Sequence, residues 1–167
     1  MQTLTGISHE HHDLLWRHVD QLIDLADCLD CDCLDRGELV ARLPQLHDVH
    51  DALTQRLIPH MEAVEAAVYP TLERLLADRG TTVPMVVEHQ EIRRLVASLG
   101  AFIDDPTAHD DRPAVLRLRR ILLRLHALLK THLAEEELYI PILEDRLTPG
   151  QEAALARALD HLGAELL

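Results

Sequence analysis

Aromatic residues are scarce, 2% of 167, so the core must be built almost wholly of aliphatic side chains. That disfavours a β-sandwich or barrel, whose strands draw on aromatic and β-branched residues, and favours helices. Positive charge is also in short supply: sixteen Lys and Arg stand against 29 Asp and Glu, a net charge of −13 with His neutral. A nucleic acid duplex or an anionic membrane surface would be repelled, and neither is expected as a partner. No run approaches the roughly 18 apolar residues of a membrane-spanning helix, and the first residues lack the basic start and apolar stretch of a secretory signal, so a soluble, cytoplasmic protein is expected. Cysteine is confined to Cys28, Cys31 and Cys33 within CLDCDC, an odd and clustered set unlike a secreted disulfide framework.

What is present is apolar spacing with a helical period nearly everywhere. The length suits one domain over residues 1–167 with a single sizeable core. The spacing predicts helices over Ile7–Leu29, Gly37–Asp78, Pro84–Ile103 and Pro113–Leu147. Pro44, Pro59 and Pro70 are expected to kink the second, and Gly80 to stop it. A short fifth helix follows from Thr148 to Gly163, where Thr-Pro-Gly-Gln supplies an N-cap, a first-turn Pro and the Gln of a capping box. It is expected to cover one end of the bundle or to join a homodimer.

The short, long, short, long order suggests two copies of a helical pair. Aligning His12 with His89 puts Leu15 on Ile92, Val19 on Val96, Leu22 on Leu99 and Leu25 on Phe102; aligning His60 with His132 puts Leu57 on Leu129 and Leu53 on Leu125. This predicts an all-α, up-and-down four-helix bundle with one histidine per helix, His12, His60, His89 and His132, facing the core. In antiparallel neighbours all four fall at a similar height. Glu136 follows His132 by four residues, which stacks both side chains on one helical face with Cβ atoms roughly 6 Å apart. Imidazole and carboxylate together suit Fe, Mn or Zn, and a carboxylate can bridge two ions. A lone core histidine is more often a hydrogen-bonded packing residue; four at repeat-equivalent positions, beside a chelating acid, point to a metal.

This pattern, with HMEAVEAAVYP and HLAEEELYIP both running into Pro, resembles the hemerythrin-like family, the HHE cation-binding domains, over about Ile7 to Leu147. The resemblance implies a bundle around a non-haem di-iron centre, two irons bridged by oxide or hydroxide and by carboxylate, with Zn or Mn as substitutes. It implies O₂, peroxide or NO as the small molecules handled. Two departures stand out. Four residues after His60 the family's Glu is replaced by Val64, and the acid is Glu65, which a regular helix would point about 100° away. A π-bulge between His60 and Glu65 would bring it back among the ligands, and Tyr69, four residues on, would then come inward and could offer a phenolate to one iron. The other reading of Tyr69 is a core residue with its hydroxyl bonded elsewhere. Second, the positions four residues either side of His89 are Met85 and Arg93, where true hemerythrins add a histidine on one side. One iron is then short of protein ligands, with Tyr69 or His9 as substitutes, which suits peroxide or redox chemistry better than reversible O₂ carriage.

The expected ligand set is thus His12, His60, Glu65, His89, His132 and Glu136, with Tyr69. The expected role is peroxide decomposition of a catalase-like kind in oxidative or nitrosative stress. The alternatives are an O₂- or NO-binding sensor, an iron-handling protein with ferroxidase or storage activity, and a metal-free helical interaction module. A ferritin-like site is disfavoured because no Glu is followed by His three residues later. The CLDCDC thiols could bind a soft metal, form a redox disulfide, link chains or be inert.

Overall fold

The computed structural model describes residues 4–29 and 36–164. The helices are α1 (Leu4–Cys28), α2 (a continuous helical run from Arg36 to Leu76), α3 (Val83–Ile103), α4 (Arg112–Arg146) and α5 (Pro149–Ala164), with a 3₁₀ turn at Ala108–Asp110 and no strand among the described residues. Proline sits in the first turn of α3 and α4, where its missing N–H is no loss. The capping box at α5 forms: the Thr148 N–H donates to Gln151 Oε1 at 3.0 Å, and the Gln151 N–H to Thr148 Oγ1 at 3.4 Å.

The second helix is the irregular one. Its α-helical pieces Arg36–Ala52, Ile58–Ala63 and Tyr69–Leu76 are joined by π turns at Leu53–Leu57 and Val64–Val68. Each π turn ends two residues before a proline, Pro59 and Pro70. A proline ring clashes with the carbonyl four residues back, and a widened turn relieves the clash. The kinks expected from Pro59 and Pro70 therefore take the form of π turns. Pro44, also expected to kink this helix, lies within the α-helical piece Arg36–Ala52 without a π turn, as Pro141 lies within α4. The helix stops at Ala77, which adopts the left-handed conformation with φ of 54°, rather than at Gly80. For an alanine that conformation costs about 1 kcal/mol.

Helix α1 packs along α4 and α2, and α3 along α4 and α2, closing the up-and-down ring. Two apolar clusters fill it. The larger runs through the middle of the bundle and contains the residues paired by the repeat alignment: Leu15, Val19, Leu22 and Leu25 from α1, Ile92, Val96, Leu99 and Phe102 from α3, Leu53 and Leu57 from α2, Leu125 and Leu129 from α4. The smaller joins Ala63, Val64, Val68, Tyr69 and Leu72 to Met85, Leu143 and, from α5, Leu155, Ala156 and Leu159. Helix α5 thus covers the end of the bundle at which His60 stands. No helix among the described residues is long and apolar enough to cross a membrane.

Leu122, on α4, has no exposed surface and belongs to the larger cluster. Replacing it with alanine removes buried methyl groups and leaves a void, so Leu122→Ala should lower the unfolding free energy by about 2–5 kcal/mol with helix content unchanged. Urea unfolding followed by circular dichroism measures this; a loss below about 1 kcal/mol would mean that the cluster is not close-packed there.

Candidate metal centre

Four helices bring one imidazole each to a single level, and α4 adds a carboxylate between them. His12, His89 and His132 are buried, His60 is partly buried, and Glu136 is 7% exposed. The two Glu136 oxygens face different histidine pairs. Oε2 lies 3.1 Å from His60 Nε2 and 3.3 Å from His12 Nε2. Oε1 lies 3.5 Å from His132 Nε2 and 4.0 Å from His89 Nε2. Two groups of potential donors result, His12, His60 and Glu136 on one side and His89, His132 and Glu136 on the other, with the donor atoms of each group within 4.8 Å of one another. The Tyr69 hydroxyl joins the second group, donating to Glu136 Oε1 at 3.2 Å and standing 3.3 Å from His89 Nε2.

Tyr69 reaches the site because of the second π turn. The long bond of that turn runs from the Tyr69 N–H to the Val64 carbonyl, five residues back, which carries Tyr69 onto the stripe that holds Val64. The turn falls at Val64–Val68, not between His60 and Glu65. It therefore shifts Tyr69 inward and leaves Glu65 on the flank that faces α3. There Glu65 Oε1 lies 2.6 Å from His89 Nδ1 and accepts two bonds of 3.0 Å from the Arg93 guanidinium. Glu65 thus stands behind His89, outside both donor groups.

A matching contact supports the second imidazole of that side: His132 Nδ1 is 3.0 Å from Glu88 Oε2. Glu137 approaches His12 Nδ1 at a longer 3.5 Å. Glu88 and Arg93 were not among the candidate site residues that the sequence pattern singled out. Both had a signal in it: Glu88 precedes His89 and so points from α3 toward a neighbouring helix, and Arg93 occupies the place where a further histidine is lacking.

Residues 5–143 match the family model described as the hemerythrin HHE cation-binding domain. The chain belongs to this family. No curated protein and no solved structure matched it.

The side chains of this HHE domain fit a cation on physical grounds as well. A carboxylate only accepts hydrogen bonds, so Glu65 and Glu88 fix the protons of His89 and His132 on Nδ1. Both Nε2 atoms then present lone pairs, yet they lie 2.9 Å apart. Such an approach needs a proton or a metal ion in common. Metal–nitrogen bonds of about 2.1 Å at right angles put two ligand nitrogens about 3.0 Å apart, close to the spacing of this pair. On the other side, His12 Nε2 is buried without a hydrogen bond. Tetrahedral zinc closed by protein ligands fits less well, since each group offers two imidazoles and one carboxylate and leaves positions free.

Without metal, charge is unevenly divided. Burial and the neighbouring His132 push His89 down to about 4. Burial pulls His132 the same way, but its bonds to Glu136 and Glu88 outweigh it and raise its pKa. Burial would raise Glu136, yet His60, His12 and His132 hold it well below the usual carboxylate range. Tyr69 is raised by burial and by Glu136 and stays a neutral phenol. Of the two, His132 therefore takes up a proton more readily than His89.

Of the remaining histidines, His50 lies against Gly100, where an added Cβ would meet its Nε2 at 2.7 Å, far down the bundle from the centre. His109 is buried against Phe102, its Nε2 donating to that residue's carbonyl at 3.2 Å. His18 and His126 are half-buried and His47 is exposed. Cys28 is a free, half-buried thiol; Cys31 and Cys33, and the side chains of His9, His11 and His161, lie outside the described residues.

Below its pKa His132 carries a proton that a metal ion must displace. Because the pKa of His132 is raised, that proton persists to higher pH than on a free imidazole, so affinity should increase as pH rises through this range, with a proton released per ion bound on that side. Calorimetric titration in buffers of different ionisation enthalpy reads the release directly. Proton release and affinity that do not vary with pH would contradict the assignment.

Proposed function

We propose that this chain holds two iron ions, one at His12, His60 and Glu136 and the other at His89, His132 and Glu136 with Tyr69 as a further donor, and that it decomposes peroxide. The observation that carries the reading is the division of Glu136: its two oxygens serve two separate histidine pairs, the arrangement of a carboxylate bridging two ions. Each side is a set of two histidines and one carboxylate with positions left open, the donor set that favours non-haem iron. Iron at these donors would supply one- and two-electron redox chemistry toward a small oxygen-bearing molecule.

The chain supplies the rest. Tyr69 holds a proton on its hydroxyl within 3.3 Å of both Glu136 and His89, where it can be given to an oxygen atom bound beside them or withdrawn to leave a phenolate ligand. Glu136, buried and anionic, offsets positive charge between the two sides. The aliphatic clusters above and below limit the access of water and stray reductants. A metal-free interaction module, the contrary reading, gives no reason for four imidazoles and an acid to converge in an apolar interior, where unpaired polar groups are costly.

Iron-loaded protein should release oxygen on addition of peroxide, and His132→Ala should lose most of that activity together with at least one of the two irons. Elemental analysis and an oxygen electrode measure both. A protein that binds both irons, reversibly takes up O₂ or NO and releases no oxygen from peroxide would be a sensor or carrier; one that binds no iron would overturn the proposal. An absorption band that disappears in Tyr69→Phe marks phenolate ligation.

A further inference from the structure

The residue one turn beyond His89 is Arg93, and its guanidinium does not face solvent alone. Both of its terminal nitrogens lie 3.0 Å from the Glu65 oxygen that also meets His89 Nδ1 at 2.6 Å. Glu65 is 29% exposed and Arg93 30%, whereas His89 is fully buried. The three form a chain from the surface to the centre, anchored on α2 at one point and on α3 at two. A carboxylate next to a metal centre is itself a good ligand, and Glu65 lies on the same helix as His60. The register of α2 sets it on the flank that faces α3, and the pair of bonds to Arg93 fixes it there with its oxygen free to accept from the imidazole.

We infer that Arg93 is a positioning residue that fixes Glu65 in the role of orienting His89, so that His89 presents Nε2 to the centre. The inference rests on the two-ion reading of the site only for its consequence; the orientation of His89 can be tested with or without metal. Outer carboxylates of this kind fix the tautomer of a ligand imidazole and raise its basicity, and losing one typically costs about 10- to 100-fold in metal affinity. The opposite imidazole, His132, has its own outer carboxylate in Glu88 and so serves as an internal reference.

The experiment uses the full chain, metal-free and zinc-titrated, zinc being a diamagnetic stand-in. Ring nitrogens are observed by long-range ¹H–¹⁵N correlation, and zinc affinity by competition with a chelator. In the wild type the His89 proton should be on Nδ1 in both forms. In Arg93→Met the Nδ1 proton should exchange faster and its resonance shift as Glu65 is released, the affinity of the weaker zinc should change by about 10-fold or more, and the His132 signals should stay in place. Arg93→Lys, which restores a cation but not the two-pronged geometry, should recover part of the effect. Ring signals and zinc affinity unchanged in Arg93→Met would overturn the inference. So would a fall in thermal stability with the His89 signals unmoved, since Arg93 would then be only a surface brace. If the wild type binds no zinc and no iron, the metal reading fails, while an Arg93-dependent Nδ1 proton on metal-free His89 would still uphold the positioning role.

Discussion

Glu136 is the constraint on which the rest of the site depends. A single buried carboxylate has two oxygens, and here each is committed to a different pair of imidazoles drawn from different helices. An anion at 7% exposure in an aliphatic interior is sustained only by partners that favour its charge. In the metal-free chain those partners are histidines, at least one of them carrying a proton. Cations in place of that proton would satisfy the same oxygens, the facing lone pairs of His89 and His132, and the unbonded His12 Nε2 together.

The scaffold serves that convergence. Antiparallel packing brings α1 with α2 and α3 with α4 to a common level, and between the two apolar clusters His12, His89, His132 and Glu136 are buried. Helix α5 completes the upper cluster through Leu155, Ala156 and Leu159, so the last helix contributes to the dryness of the centre. The two π turns of α2 illustrate how a backbone requirement becomes chemistry. Prolines at positions 59 and 70 crowd the carbonyl four residues back, the turn before each widens, and the second widening delivers a phenol to the centre.

Much of this was legible in the sequence because it depends on periodicity. The repeat alignment of His12 with His89 and His60 with His132 identified the inward stripe of each helix, and the four-residue interval between His132 and Glu136 put both on one face. Less legible was where the extra residue of α2 is absorbed. A bulge before Glu65 and a bulge after it give the same composition and nearly the same helix, but only the first would turn Glu65 into the centre. The outer contacts were also hidden, because pairing Glu88 with His132 or Arg93 with Glu65 depends on which helices are neighbours and at what height, information that spacing within one helix does not contain. The end of α2 illustrates a local preference overridden: Gly80 offered the easier stop, and the chain turns at Ala77.

The central claim is that Glu136 lies between two metal ions. Crystals of the iron-loaded protein, measured on either side of the iron absorption edge, locate the metal without reference to activity. Two anomalous peaks are expected, one beside Oε2 with His12 and His60, the other beside Oε1 with His89 and His132. A single peak, or peaks away from Glu136, would contradict it.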